Sequence, residues 1–144
     1  MIFWDASALI PLCIEEPHSH AANGIIDDDS AIAAWWGSPV ECFSAFARLR
    51  REGALTPKEE DQVRRLLTTL AETWTEIKPS HDIRDMAARI LLLHPLRAAD
   101  SLQLAAALVW AGKNPKGQRF ACLDRRLREA ARKEGFIVAP SEPE

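Results

Sequence analysis

Ile2-Phe3-Trp4-Asp5-Ala6-Ser7-Ala8-Leu9 opens the chain, and the fold is read outward from it. Three apolar residues that stop at an acid have the pattern of a short strand buried on both faces. Leu9, Ile10 and Cys13 then recur at helical spacing. The same alternation returns along the chain. A second buried strand is expected over 31–35, a third over 120–123 and a last over 136–138, with a short extended piece at 75–77. Helices are expected over 7–15, 18–26, 39–51, 80–93, 97–111 and 125–133. A further helix begins at Thr56-Pro57-Lys58-Glu59, a capping box with proline at the first helical position. The 39–51 helix is expected to turn Val40, Phe43, Phe46, Ala47 and Leu49 inward. Leu66, Leu67, Leu70 and Trp74 give the stripe of the next. Short apolar strands alternating with helices predict an α/β domain of three layers, with a central parallel sheet between helices.

Size and composition agree with that class. The chain has 144 residues, 47% hydrophobic and 27% charged, which is enough to bury one core. One domain is expected over 1–140, followed by a frayed tail at 141–144. No apolar run reaches the length of a membrane span, and no basic stretch precedes the first apolar residues, so a cytoplasmic protein is expected. The net charge of −3 gives no overall basic footprint for passive nucleic-acid binding. Cys13, Cys42 and Cys122 are odd in number and widely spaced, and read as small buried hydrophobes.

The chemistry lies in the acids. Asp5 and Asp124 follow buried strands, while Glu41 and Asp100 fall in the first turns of helices. In an open parallel sheet the carboxyl ends of the strands form the crevice where ligands bind. Four carboxylates brought together there repel one another, and a hard divalent cation such as Mg²⁺ or Mn²⁺ relieves that repulsion. Helix capping and the helix dipole are the alternative explanation, above all for Glu41 and Asp100.

Four stretches carry a resemblance to a known family. Ile2-Phe3-Trp4-Asp5-Ala6-Ser7, Ser38-Pro39-Val40-Glu41, Leu96-Arg97-Ala98-Ala99-Asp100-Ser101-Leu102-Gln103-Leu104-Ala105 and Phe120-Ala121-Cys122-Leu123-Asp124 resemble, in order, the motifs of PIN-domain ribonucleases, in particular the VapC-type toxins. The resemblance implies a PIN-like domain and a Mg²⁺- or Mn²⁺-dependent endoribonuclease. It also implies the toxin role in a toxin–antitoxin pair, an RNA substrate, a small antitoxin partner and a homodimer. Carried over residue by residue, Asp5 and Asp100 are the main metal ligands, and Glu41 and Asp124 complete the catalytic cluster. Ser7 orients Asp5. The fourth motif commonly has serine or threonine where Cys122 stands, so a polar contact is either missing or supplied by Ser101.

Arg97, Arg125 and Arg126 are candidates for guiding RNA, with Arg128, Arg132 and Lys133 on the same basic helix; a solvated helix face is the alternative. Trp35 and Trp36 read as core, with a base-stacking platform as the alternative. His18, His20, His81 and His94 read as solvated or capping. A receiver-like domain would need an acid beside Asp5, and a dehalogenase-type phosphatase an aspartate where Ser7 stands. The competing function that stays open is a non-catalytic PIN-like interaction module with solvated acids.

Overall fold

The computed structural model describes residues 1–141 of the chain. The tail expected to fray therefore lies, from residue 142 onward, outside the described residues. Five strands, β1 (Ile2–Trp4), β2 (Ile32–Trp35), β3 (Thr75–Ile77), β4 (Arg119–Ala121) and β5 (Ile137–Ala139), form one sheet. Its order is β3-β2-β1-β4-β5 and every pairing is parallel. The helices are α1 (Ala6–Cys13), α2 (Ser19–Asp28), α3 (Ser38–Arg51), α4 (Pro57–Ala71), α5 (His81–Leu93), α6 (Ala98–Trp110) and α7 (Arg125–Glu134).

The layers follow from strand periodicity and connection handedness. Successive side chains of β1 point to opposite faces. Ile2 and Trp4 pack with Leu9, Ala22, Phe46 and Leu67 on one side, while Phe3 packs with Ile83, Leu104 and Leu127 on the other. From β1 to β2 to β3 the chain moves one way across the sheet, and from β4 to β5 it moves the opposite way. Right-handed crossovers then force α1 to α4 onto one face and α5 to α7 onto the other. The order of the sheet reverses between β1 and β4, and a crevice opens at their carboxyl ends.

Local signals set several helix starts. Thr56 caps α4 through the full capping box with Glu59, and Ser80 caps α5. α6 carries buried Leu104, Ala105, Ala106 and Ala107 and lies against α5 and the sheet, as its apolar composition predicts. Some expected faces are wrong. Val40 is 69% exposed, because Cys42, Ala45 and Phe46 are the residues of α3 that meet the core. Leu66 is also exposed, and Trp74 is buried from a position beyond the end of α4. All three cysteines are buried. Among the described residues no helix is long and apolar enough to cross a membrane.

Candidate active site

At the carboxyl end of β1 the buried sheet meets its first charge. Asp5 caps α1, its Oδ2 accepting from the Ser7 amide at 3.0 Å and from the Ser7 hydroxyl. That hydroxyl also accepts from the Leu123 amide at 2.9 Å, so one serine ties the β1–α1 turn to the segment leaving β4. Among the described residues, no hydrogen bond reaches Oδ1 of Asp5.

Asp5 is only 3% exposed. Burial pushes its carboxyl up from 3.8 to about 6; the bonds from Ser7 oppose the rise, and the charges of Asp100 and Asp124 add to it. Burial likewise raises Glu41 from 4.5 to about 7, against a hydrogen bond from Gln103 and reinforced by Asp5 and Asp100. Asp100, in the first turn of α6, is raised by burial and then by Asp124, with Arg97 opposing. Asp124 is exposed and caps α7, its Oδ1 accepting from the Leu127 amide at 3.0 Å.

Four carboxylates from four elements thus act on one another at the carboxyl edge of the sheet. They form an open arrangement. Among the described residues no group of three or more His, Cys, Asp or Glu stands ready as a metal cage. Capping itself does not fall to Glu41 and Asp100, since Gly37 and Arg97 hold those N-cap positions, although both acids lie in first turns where the helix dipole favours them; Asp5 and Asp124 are themselves caps.

Ser7 stands against Asp5, but Ser101 does not join the cluster. It is buried, and its hydroxyl donates to the Ala98 carbonyl at 2.7 Å, the backward bond that serine makes inside a helix. Cys122 Sγ lies 3.7 Å from both Asp5 Oδ2 and Ser7 Oγ, so Ser7 provides the strong donor to Asp5 that a thiol cannot. Gln103 escaped the sequence reading. It is fully buried, and its Nε2 donates to Glu41 Oε2 at 2.7 Å and to Ser38 Oγ at 2.9 Å. The signal available was an amide one turn past Asp100 in a helix otherwise filled with alanine and leucine.

Pro95, Arg97, Asp100, Asp124 and Arg126 line a cleft of about 260 Å³. A larger groove of about 700 Å³ shares Pro95 and Arg126 with it and runs along α7 past Arg125. Arg97 and Arg126 therefore border the acid-lined cleft, while Arg125 lines the adjoining groove. Arg128, on the same helix, does not line the acid-lined cleft. It is buried, donating to the carbonyls of Cys122 at 2.8 Å and Pro140 at 2.7 Å. Arg132 and Lys133 pair with Glu129 on their own helix. His94 is not solvated either, its Nε2 lying 2.6 Å from Glu134 in a nearly buried pair. The two tryptophans divide: Trp35 is core, and Trp36 is 56% exposed with its ring edge-on to Trp35.

No protein-family model matches the chain. Ribonuclease VapC45 of Mycobacterium tuberculosis (strain CDC 1551 / Oshkosh) is 31% identical over 146 residues, spanning 99% of this chain and 96% of that protein. The chain belongs to the VapC ribonuclease family. The VapC fold is matched by solved structures as well. The crystal structure of Mycobacterium tuberculosis VapC20, described as a sarcin-ricin loop cleaving toxin, has a TM-score of 0.68 at 15% identity over 95% of this chain and 97% of its own. A toxin–antitoxin complex from Klebsiella pneumoniae has a TM-score of 0.61 at 16% identity, covering 86% and 87% of the two chains. The PIN-domain resemblance read from the four motifs is thereby borne out for family and fold: this VapC-family chain has the central parallel sheet and the three layers expected of it, the sheet having five strands.

Proposed function

We propose that this protein is a Mg²⁺- or Mn²⁺-dependent endoribonuclease and the toxin of a toxin–antitoxin pair. The observation that carries the reading is the meeting of Asp5, Glu41, Asp100 and Asp124 at the switch point of the sheet, where burial and mutual repulsion raise three of them. A donor set made only of carboxylate oxygens suits a hard cation. The open arrangement suits Mg²⁺ in particular, which takes one or two carboxylates and keeps other positions for water and phosphate oxygens. Asp5 and Asp100 would hold the ion, with Glu41 and Asp124 completing the set. When bound, the ion neutralises charge on the phosphoryl group and lowers the pKa of water.

The chain's own residues supply the rest. Ser7 fixes one oxygen of Asp5 and leaves the other open to the crevice. Glu41, which takes up a proton near neutral pH, is suited to accept a proton from the attacking water. Attack in line with the departing sugar oxygen needs no protein nucleophile. Arg97 and Arg126, lining the cleft with Asp100 and Asp124, would bind phosphates flanking the scissile one, and Arg125 would extend that contact along α7.

An RNA substrate is in keeping with a cytoplasmic enzyme. The toxin–antitoxin complex from Klebsiella pneumoniae supports an antitoxin partner, and a small antitoxin would cover the crevice here. A homodimer is expected, and light scattering coupled to size exclusion should return twice the 16.1 kDa of the chain. The function is tested by adding Mn²⁺ to wild type and to Asp5→Asn. Mn²⁺ should raise the melting temperature of the first and support RNA cleavage by it, and do neither for the second. If wild type shows neither effect, the chain is a non-catalytic interaction module on a PIN-like scaffold.

A further inference from the structure

Core packing does not explain Gln103. It lies one turn past Asp100 on α6, fully buried among Leu104, Ala105, Ala106 and Ala107. Its Oε1 is sealed from solvent with no hydrogen-bond partner among the described residues. An unpaired buried carbonyl is unfavourable, and an apolar side chain of similar shape, such as methionine, avoids it. The opposite end of the amide accounts for the residue. Nε2 donates to Glu41 Oε2 at 2.7 Å and to Ser38 Oγ at 2.9 Å, both on the first turn of α3 or just beyond it. Only this orientation of the amide suits a carboxylate, since the reverse would set carbonyl oxygen against carboxylate oxygen.

Without the bond, Glu41 has several rotamers to choose from and a reason to leave. Asp5 and Asp100 repel it, and as a long flexible side chain it gains freedom by swinging toward solvent. Ser38 is itself fully buried, so the amide is anchored at the end that faces α3. We infer that Gln103 is a positioning residue, whose amide holds Glu41 in the acidic crevice so that α6 both contributes Asp100 and fixes the acid of α3. The inference rests on the metal-dependent reading above.

The test measures Mn²⁺ binding by calorimetry, without RNA, for wild type, Gln103→Met, Glu41→Gln and the double variant. Partners that orient metal ligands are commonly worth about 10- to 100-fold in affinity. Gln103→Met should therefore bind Mn²⁺ about 10-fold more weakly or worse, while its metal-free melting temperature stays close to that of wild type. In the Glu41→Gln background, adding Gln103→Met should change Mn²⁺ affinity no further, because the amide acts through Glu41. If Gln103→Met fails to fold, Gln103→Leu removes the donor with a smaller apolar side chain and should give the same pattern. Undiminished Mn²⁺ affinity in the single variant overturns the inference, as does an equal loss in the presence and absence of Glu41. A wild type that binds no Mn²⁺ overturns the metal reading itself and this inference with it.

Discussion

Asp5 does two jobs that conflict. As the cap of α1 it takes a hydrogen bond from the Ser7 amide, which favours the anion, yet it is buried beside Asp100 and Asp124, which disfavours it. The balance is a carboxyl raised from 3.8 to about 6. A native state that holds a proton more tightly than the unfolded chain is stabilised below the unfolded value, and loses that advantage as pH rises through the folded one. The metal-free protein should therefore lose stability between about pH 4 and 6. At neutral pH the ionised side chain costs up to about 3 kcal/mol, at about 1.4 kcal/mol per tenfold in proton affinity. Asparagine caps a helix as well as aspartate. Asp5→Asn should thus raise the melting temperature of the metal-free protein at pH 7 by several degrees, and calorimetry across pH reads it directly. Asp5 was legible in the sequence because an acid at the end of an apolar run is a strong local signal, and Ser7 through the motif that resembles the family's. Ser101 and Gln103 were not, since the choice between a hydroxyl bonding its own helix and an amide reaching another depends on rotamer and on what packs opposite.

Helix ends were legible and helix faces less so. The Thr56 capping box is present in full, and Thr56→Ala should cost about 1 kcal/mol in urea unfolding without changing RNA cleavage. Val40 and Leu66 point outward because a single apolar residue carries no direction until neighbouring elements are placed. α7 shows the same limit. Its arginines look alike in sequence, yet Arg128 is drawn inward to bridge the carbonyls of Cys122 and Pro140. Replacing it with methionine strands both and should cost about 3 kcal/mol, a loss that lysine, with no planar fork, restores only in part. At its far end α7 is clasped to α5. Burial alone would raise Glu134, but hydrogen bonds from His94 and Arg89 and their charges outweigh it and hold the carboxyl below 4.5. That clasp stabilises fully above the unfolded glutamate range and is lost as pH falls through the lower folded value. The stability gap between wild type and Glu134→Gln should accordingly narrow as pH is taken from about 7 to about 3.

Across the whole molecule, function follows from strand order. The order in which the strands are connected reverses between the parallel neighbours β1 and β4, so the segments after those strands border one opening, and α3 and α6 bring two more acids to it from opposite layers. The sequence showed which residues end strands and begin helices, and so showed the four acids. It could not show their open arrangement or their order of burial, because those depend on how two helical layers settle on a twisted sheet. The contrast between an acid-lined cleft and the arginines beside it also predicts a salt response. RNA affinity of a cleavage-dead variant should fall as salt rises, and should fall less steeply in Arg126→Ala, which removes one phosphate contact.

The most direct measurement is the sequencing of RNA ends after brief incubation with purified wild type or Asp100→Asn, with Mn²⁺ or with chelator. New ends at defined positions should form with wild type and Mn²⁺, and should vanish with chelator or in the variant. Cleavage that survives both would contradict a metal-holding, catalytic role for the four carboxylates.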